Sequence, residues 1–271
     1  MDFLAAMARE RLEEVRGGER RVSTSELRRR AEAAEPPRSF GDAVRRPADA
    51  PLRVIAEVKR SSPSAGALRE PYDPAGLGAA YEEAGASAIS VLTEPSRFGG
   101  AVEDVTRVRE RVRVPILLKD FVVHERQIFE ARAHGADAAL LIVALLSAVQ
   151  LRDYVSLMRD IGLTPLIEIL ERREVDVALE VEEAVIGVNN RDLRTLAMRR
   201  GFAESILPLI PADRVRVGES GYGTRADLEA LERSGADAAL VGESLLRAAS
   251  PGEALRALLG VEPDREGRLR T

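Results

Sequence analysis

A glutamate and a lysine follow an apolar run near the start of the chain. Glu57 and Lys59 come directly after Val54-Ile55-Ala56, and residues 61–66 form a predicted loop behind them. On a strand, residues two apart point to the same face, so the carboxylate and the ammonium lie side by side. Such a pair at a strand end predicts proton transfer and the binding of an anion.

Lysine and asparagine are rare in this chain, and both stand where apolar runs end. Of the 40 Lys and Arg residues only Lys59 and Lys119 are Lys, and the only Asn residues are Asn189 and Asn190. An amine can lose its proton, which a guanidinium cannot do at neutral pH. Codon bias is the alternative, but two lysines reaching strand ends by chance is roughly a one-in-a-hundred event, since about a tenth of an eight-stranded barrel lies there. A functional role for both lysines is therefore favoured.

The composition excludes several classes of protein. The 271 residues make one large domain or two small ones, and the 45% hydrophobic content supports a sizeable core. With a net charge of −5 and no long basic block, no nucleic-acid partner is expected. The absence of Cys excludes disulfides, thiolate chemistry and Cys-ligated zinc. The charged N-terminus lacks a secretory signal, and the longest apolar run, residues 138–146, is too short to cross a membrane, so a cytoplasmic protein is expected.

The first 50 residues differ from the rest of the chain. Leu4, Ala8, Leu12 and Val15 recur at helical spacing and predict a helix that ends at residues 17–18, where two glycines offer a hinge. A second helix is predicted over 25–34, capped by Ser23 or Thr24, and a short third one over 40–44. This segment has too few large apolar residues for its own core, so we expect a helical cap on the domain that follows.

From residue 51 onward, apolar runs alternate with amphipathic segments. Strands are predicted over 53–58, 87–92, 114–118, 137–143, 164–169, 184–188, 214–218 and 237–241. Helices are predicted over 74–84, 103–111, 124–133, 147–160, 171–179, 201–208, 224–233 and 253–259. An open doubly wound sheet also alternates, but eight repeats in ~220 residues favour an α/β fold with a closed (β/α)₈ TIM barrel. We predict a single domain over 1–271, made of the cap (1–50), the barrel (51–260) and a C-terminal tail (261–271).

An internal repeat accompanies this alternation. The sequence Gly-Ala-Asp-Ala-Ala-Leu occurs at 135–140 and again at 235–240, with a weaker copy at 85–89. In each copy the Gly is predicted to end a helix in the left-handed conformation before a buried strand begins. The two strong copies precede strands four and eight, as two related half-barrels would require. The alternative is that the repeat is simply favourable chemistry for a helix-to-strand turn.

The active site of such a barrel lies at the carboxyl ends of its strands. Six predicted strands end in groups of residues that can do or position chemistry: Glu57, Lys59 and Ser62; Lys119, Asp120 and Phe121; Glu168; Asn189, Asn190, Arg191 and Asp192; Glu219, Ser220, Gly221 and Gly223; Gly242, Glu243 and Ser244. Two lysines and several carboxylates converge there with no His among them. This set predicts acid–base catalysis on a carbonyl compound by tuned Lys and Glu side chains.

Two glycine-containing turns after strands seven and eight predict a phosphate site. Backbone N–H groups of 219–223 and 241–244 can bind a phosphate, as loops in these positions often do in barrels. The alternative is a pair of tight turns between strand and helix.

Other residues allow two interpretations each. Glu168 faces the barrel mouth or makes a buried ion pair, depending on register. Phe98 and Phe121 line a pocket for a flat substrate or pack in the core. His124 and His134 fall on the helix after strand three, where surface positions are expected, and no metal site is predicted.

Seven ordered motifs give the chain a resemblance to a known family. At these residues it resembles indole-3-glycerol phosphate synthase of tryptophan biosynthesis, across the barrel and the N-terminal helices. The motifs are Ile55-Ala56-Glu57-Val58-Lys59-Arg60 with Ser62-Pro63-Ser64, Phe98-Gly99-Gly100, Leu117-Leu118-Lys119-Asp120-Phe121, Leu166-Ile167-Glu168, Gly187-Val188-Asn189-Asn190-Arg191-Asp192-Leu193, Glu219-Ser220-Gly221, and Val241-Gly242-Glu243-Ser244.

The resemblance implies a reaction and a set of roles. The substrate would be 1-(2-carboxyphenylamino)-1-deoxyribulose 5-phosphate, and the indole ring would close with loss of CO₂ and water, without cofactor or metal. Lys119 would be the general acid at the ribulose carbonyl, and Glu168 would stabilise positive charge on the arylamine or take a proton. Glu57 would assist dehydration, and Lys59 would hold the substrate carboxylate or act as a second acid.

The remaining site residues would bind the substrate. Asn189 and Arg191 would position the anthranilate portion and the lysine–glutamate network. Phe98, Phe121 and Glu219 would also belong to the substrate-binding residues. Residues around the anionic groups, mainly the phosphate, would be Ser62, Ser220, Gly221, Gly242, Glu243 and Ser244. Many relatives have a small hydroxyl residue where this chain has Glu243, so we expect only its backbone N–H to meet the phosphate, with the side chain turned outward.

Two other functions are compatible with parts of the pattern. A related phosphosugar barrel, such as phosphoribosylanthranilate isomerase, would favour a Cys/Asp pair, which a chain without Cys cannot supply. A barrel that only binds a phosphorylated ligand leaves the two isolated lysines unexplained. A monomer, or a weak dimer, is the expected state.

Overall fold

The structure, a computed structural model, describes residues 2–63 and 66–261. Eight parallel strands close into a barrel, in which each strand pairs with the next and the last pairs with the first. The strands are β1 (Arg53–Val58), β2 (Ala88–Leu92), β3 (Ile116–Lys119), β4 (Ala138–Ile142), β5 (Thr164–Ile169), β6 (Val185–Asn189), β7 (Arg216–Glu219) and β8 (Ala238–Val241). The prediction of a closed (β/α)₈ barrel is confirmed. Ser64 of the first motif and residues 262–271 of the predicted tail lie outside the described residues.

Three helices precede the first strand of the barrel, and the others follow its strands. They are α1 (Phe3–Glu19), α2 (Thr24–Ala33), α3 (Phe40–Val44), α4 (Pro74–Glu83), α5 (Pro95–Phe98), α6 (Glu103–Arg109), α7 (Glu125–Ala133), α8 (Ala148–Asp160), α9 (Val175–Leu179), α10 (Phe202–Ile206), α11 (Arg225–Arg233), α12 (Glu243–Leu246) and α13 (Pro251–Leu259). Short 3₁₀ turns occupy Val143–Leu145, Arg172–Glu174 and Leu207–Leu209, and Ser61–Ser62 pairs with Gly66–Ala67 in a small antiparallel hairpin. Every predicted helix is present to within a few residues. No helix in the described part of the chain has the length and apolar character that crossing a bilayer requires.

The N-terminal helices enclose the barrel from two ends. Phe40 and Val44 of α3 are fully buried in the apolar cluster that fills the barrel interior. Leu4 and Met7 of α1 join the same cluster near its other end, beside Phe121. The extension therefore packs onto the barrel rather than forming a core of its own, although α2 adds a small apolar contact against α7.

Helix α1 is longer than predicted. The sequence places its end at the two glycines, but the helix continues through Gly17 and Gly18 to Glu19. Tertiary contact explains the difference, since the guanidinium of Arg126 donates to the carbonyl oxygens of Gly18 and Val22. Packing of this kind outweighs a glycine penalty of about 1 kcal/mol. The predicted hinge at 17–18 is therefore a helical segment.

The repeated Gly-Ala-Asp segments have the predicted turn geometry. Gly135 and Gly235 adopt φ values of 89° and 90°. The two aspartates then act alike: Asp137 accepts the N–H groups of Ile116 and Arg38, and Asp237 accepts those of Arg216 and Arg46. Each Asp thus joins its own half of the barrel to the segment that contains α3.

Candidate active site

The alternation of side chains along the strands brings the predicted chemistry into the barrel. Four strands place an apolar residue in the interior cluster and a charged residue two positions later, on the same face and closer to the mouth. These pairs are Ile55 and Glu57, Leu117 and Lys119, Leu166 and Glu168, and Val217 and Glu219. Because of this strand period, one lysine and three carboxylates point into the same end of the barrel.

A cavity of about 720 Å³ opens at this end of the barrel. All residues to which the resemblance gave a role line it: Glu57, Lys59, Ser62, Phe98, Lys119, Phe121, Glu168, Asn189, Arg191, Glu219, Ser220, Gly221, Gly242, Glu243 and Ser244. The strand-end candidates Asn190 and Asp192 are not part of the lining. Strands β1, β3, β5, β6 and β7 contribute polar groups, whereas β2, β4 and β8 add apolar wall, with Leu92, Ile142 and Val241.

Lys119 lies between two buried carboxylates. Its Nζ is 3.0 Å from Glu168 Oε2 and 2.9 Å from Glu219 Oε2, and the two glutamate side chains are 0% and 1% exposed. Burial alone would lower the pKa of Lys119, but the charges of Glu168, Glu219 and Glu57 outweigh it and raise the pKa above its ordinary value. The lysine is therefore a charged proton donor at neutral pH.

One of the two carboxylates can keep a proton. Burial raises the pKa of Glu219 to about 8, with Lys119 opposing the shift and the nearby Glu168 adding to it. Two carboxylates this close to each other and to a single lysine titrate as a coupled set, and repulsion between their charges favours keeping a proton on one of them. Gly187 makes room for this arrangement, because a Cβ atom there would lie 2.2 Å from Glu219 Oε1.

The pair that first indicated chemistry is also formed. Lys59 Nζ donates to Glu57 Oε1 at 2.5 Å, and the two side chains are largely buried in the cavity wall. Gly242 faces this carboxylate so closely that a Cβ atom would lie 2.4 Å from Glu57 Oε1. The first and last strands thus meet at this pair.

Hydrogen bonds from Asn190 and Ser244 hold the loop after β7 in place. Ser220 has a left-handed φ of 66°, which is uncommon for a residue other than Gly. The amide of Asn190 donates to the Ser220 carbonyl oxygen and to the Tyr222 hydroxyl, each at 3.1 Å. Ser244 Oγ donates to the Tyr222 carbonyl oxygen at 3.1 Å. The Ser220 carbonyl oxygen is thus bonded to a residue outside the cavity lining, and the Tyr222 carbonyl oxygen is occupied by Ser244.

Glu243 stands at the rim beside two arginines. Its carboxylate lies 3.1 Å from Arg247 Nε and 3.9 Å from Arg191 Nη2. The side chain is 36% exposed, so it is neither buried in the cavity nor turned fully outward. Its negative charge is paired at the rim.

Phe98 and Phe121 form an aromatic wall. Their ring centroids are 6.3 Å apart at an interplanar angle of 41°, and Phe3 of α1 meets Phe121 edge-on at 6.5 Å. Both rings line the cavity, and Phe121 is also part of the interior apolar cluster. Phe121 therefore both lines the cavity and packs in the core, and that the cavity takes a flat substrate stays a prediction.

Asp120 and the two histidines are engaged in structural contacts. Asp120 follows Lys119 directly after β3 and belongs to the cavity lining, but its oxygens accept Arg11 Nε at 2.9 Å and Arg11 Nη2 at 2.7 Å. His124 caps α7 by accepting from the N–H of Arg126, and His134 bonds Thr106. Both histidines are half-buried at helix ends rather than at the surface.

Sequence reasoning missed several cavity residues on the loop after β6 and near the rim. They are Leu193, Leu196, Met198, Arg200, Asp227 and Arg247. The loop has no periodicity, and two arginines among 38 offer no signal of rarity. The only available cue was their position shortly after predicted strand ends.

The closed barrel, with a charged cavity at the carboxyl ends of its strands, defines the chain as a (β/α)₈ barrel protein. Residues 4–258 match the family model of indole-3-glycerol phosphate synthase. The chain is 49% identical over 239 residues to indole-3-glycerol phosphate synthase 1 of Streptomyces coelicolor, covering 88% of each chain. It is 47% identical to the enzyme of the same name from Mycolicibacterium smegmatis, covering 88% of this chain and 86% of that one. The chain belongs to the indole-3-glycerol phosphate synthase family.

A distant solved structure shares the fold alone. Thiamine phosphate pyrophosphorylase from Pyrococcus furiosus matches with a TM-score of 0.58 and 14% sequence identity, covering 76% of this chain and 93% of that one. Such a likeness supports the barrel and no particular reaction.

Proposed function

We propose that this protein converts 1-(2-carboxyphenylamino)-1-deoxyribulose 5-phosphate to indole-3-glycerol phosphate. The observation that supports this most is Lys119 held between Glu168 and Glu219 on the cavity wall, in a chain of this family. The reaction needs a proton donor at a carbonyl oxygen and a group that can accept protons nearby, and this trio can provide both.

The bond changes assign a task to each catalytic group. The aryl carbon that bears the carboxylate bonds to the ribulose carbonyl carbon, whose oxygen takes a proton from Lys119. Loss of CO₂ restores the aromatic ring. The hydroxyl made from the carbonyl oxygen then takes a second proton from an acid and leaves as water, while the neighbouring CH₂ carbon next to the nitrogen loses a proton to a base. This elimination forms the double bond of the new five-membered ring.

The carboxylates take their tasks from their positions. Glu168 accepts a proton or stabilises the positively charged arylamine, since its side chain is fully buried beside Lys119. Glu219 keeps Lys119 in place, and its raised pKa suits it to exchange a proton with the lysine. Glu57 assists dehydration, and Lys59, its neighbour at 2.5 Å, binds the substrate carboxylate or acts as a second acid.

The substrate's other parts are assigned to the remaining wall. The aryl ring lies against Phe98 and Phe121, with Asn189 and Arg191 positioning the anthranilate end. The phosphate binds at the opposite side, near Ser220, Gly221, Gly242 and Ser244, with Ser62 beside an anionic group and the Glu243 carboxylate paired at the rim. That the enzyme works as a monomer or weak dimer in the cytoplasm stays a prediction.

The test is turnover of the carboxyphenylamino-deoxyribulose phosphate, followed by indole fluorescence, for the wild type and Lys119→Arg. Arginine keeps the charge but cannot give up its proton at neutral pH. We expect wild-type turnover and a variant that binds substrate yet is slower by ~10² or more. A fully active variant would move the acid to another group, with Lys59 first. No wild-type turnover, with or without binding, would overturn the proposed function.

A further inference from the structure

Glu94 is a fully buried carboxylate outside the cavity lining. It follows β2 and is 0% exposed, while Pro95, Ser96 and Arg97 after it are exposed. No motif or periodicity distinguishes it, and the proposed reaction does not use it. Burying a carboxylate is costly unless its oxygens are hydrogen-bonded, so its contacts call for an explanation.

All hydrogen bonds described for this carboxylate come from the turn that follows it. Oε1 accepts the Ser96 N–H at 2.8 Å and the Ser96 hydroxyl at 2.5 Å. Oε2 accepts the N–H of Arg97 at 2.8 Å and that of Phe98 at 3.0 Å. The guanidinium of Arg97 reaches instead to Glu10 on α1, at 2.8 Å. Four donors, all from residues 96–98, thus satisfy the buried carboxylate of Glu94.

The turn that it holds is α5, which is only four residues long. A helix of this length has no stability of its own, so its geometry depends on side-chain capping. Gly99 ends it with a left-handed φ of 64°, and Gly100 returns against β2, where a Cβ atom would lie 2.2 Å from the Leu92 carbonyl oxygen. The backbone of 96–98 is therefore fixed between Glu94 and this tight return.

Phe98 is the last residue of that turn and the outer half of the aromatic wall. Its ring lies 6.3 Å from Phe121, and its N–H is one of the four donors to Glu94. Where the backbone at 98 lies decides where the ring meets the cavity.

We propose that Glu94 is a positioning residue that acts through Phe98 and so sets the affinity for the aryl part of the substrate. The identity of that ligand rests on the proposed function. Glu94 does not line the cavity and makes no described hydrogen bond to Lys119, Glu168 or Glu219, so the chemistry itself is left untouched.

The main variant is Glu94→Gln, which keeps size and shape. One oxygen becomes an NH₂ group that faces N–H donors on either side, and the turn loses at least one hydrogen bond. We expect KM to rise about tenfold while kcat changes less than about threefold. The pH profile of kcat keeps its shape. Glu10→Gln, the same change in an exposed carboxylate that contacts the turn through Arg97, is the matched control and leaves KM within about twofold.

A double-mutant cycle decides whether Glu94 acts through Phe98. If it does, Glu94→Gln adds nothing to Phe98→Ala, and the double variant has the KM of Phe98→Ala within about twofold. Effects that multiply would overturn the proposal. Should Glu94→Gln fail to fold, Ser96→Ala removes a single exposed donor, and its expected rise in KM of about threefold must likewise vanish on the Phe98→Ala background.

A readout without substrate separates this inference from the proposed function. The chain has no Trp and four Tyr, so Phe98→Trp introduces a single tryptophan at the wall, which can be excited selectively. Adding Glu94→Gln should lower the fluorescence anisotropy of that Trp and shift its emission to the red, and Glu10→Gln should not. Unchanged emission and anisotropy would contradict the role of Glu94 even in an active enzyme. The expected change in an inactive protein would support the positioning role and refute only the reaction.

Discussion

Lys119 Nζ and Glu219 Oε2 lie 2.9 Å apart, and burial raises the pKa of this glutamate from an ordinary 4.5 to about 8. The folded protein therefore binds a proton here that the unfolded chain has already released between these two values. The stability from this proton is complete below about pH 4.5 and is lost as the pH rises towards 8.

Glu219→Gln should remove that dependence, because the amide resembles the protonated acid and does not titrate. We expect the free energy of unfolding of the wild type to fall more between pH 5 and 8.5 than that of the variant. Urea denaturation at several pH values measures both. Since other groups titrate in the same window, the difference between the two proteins is the quantity to compare, and parallel curves would contradict the raised pKa.

Gly187→Ala should damage catalysis by displacing a glutamate. The new methyl group would lie 2.2 Å from Glu219 Oε1 and 2.9 Å from Leu166 Cδ2, so the carboxylate must leave its place beside Lys119. We expect kcat to fall by about tenfold or more, with KM much less affected. Gly17→Ala is the control, because nothing lies within 4 Å of a Cβ atom there and the position is helical. It should keep full activity and gain about 0.5–1 kcal/mol of stability.

Arg11→Met should destabilise the protein through the partner it leaves behind. Arg11 and Asp120 are 10% and 5% exposed in their side chains, and removing the guanidinium leaves a buried carboxylate without its counter-charge. We expect a loss of about 3 kcal/mol in the free energy of unfolding, measured by chemical denaturation. Arg97→Met breaks the exposed pair with Glu10 and should cost less than about 1 kcal/mol. Equal losses would mean that burial does not govern the strength of these pairs.

Asn190→Ala should weaken phosphate binding without slowing the chemistry. The amide holds the Ser220 carbonyl oxygen at 3.1 Å, and in a trans peptide the next N–H points the opposite way, so Gly221 can offer its N–H to the cavity. We expect KM to rise about fivefold and inhibition by inorganic phosphate to weaken in proportion, with kcat nearly unchanged. Asn190→Asp keeps the acceptor used by the Ala203 N–H at 2.9 Å but loses the donor, and it should behave similarly. A fall in kcat at constant KM would contradict this assignment.

The alternation of strands and helices predicted the barrel, and the rule that barrel active sites lie at the carboxyl ends of strands gathered Glu57, Lys119 and Glu168 at one mouth. The strand period of two placed Glu57 and Lys59 on one face, but it left the direction of Glu168 open, and the structure places that side chain inward as a buried ion pair with Lys119. The rarity of Lys marked two of the site residues in a chain where Arg fills the other 38 cationic positions. Both signals depend only on residues close together in the sequence, so tertiary contacts did not change what they predicted.

Features that depend on distant contacts were beyond the sequence. Arg11 meets Asp120 across 109 residues, and no pattern in either segment indicates the other. Helix α1 passes through its two glycines because Arg126, more than a hundred residues away, binds that turn. Glu94 resembled any surface acid beside a Pro, since its burial follows from how α5 folds back on it.

The aspartates of the internal repeat determine when, during synthesis, the segment around α3 can form its contacts with the barrel. Asp137 lies 99 residues after its partner Arg38, and Asp237 lies 191 residues after Arg46. During synthesis the segment around α3 leaves the ribosome early, when neither carboxylate exists. It can attach to the first half when β4 emerges and to the second only when β8 does. The segment around α3, which covers one end of the barrel, is therefore synthesised among the first parts of the chain and completes its hydrogen bonds among the last.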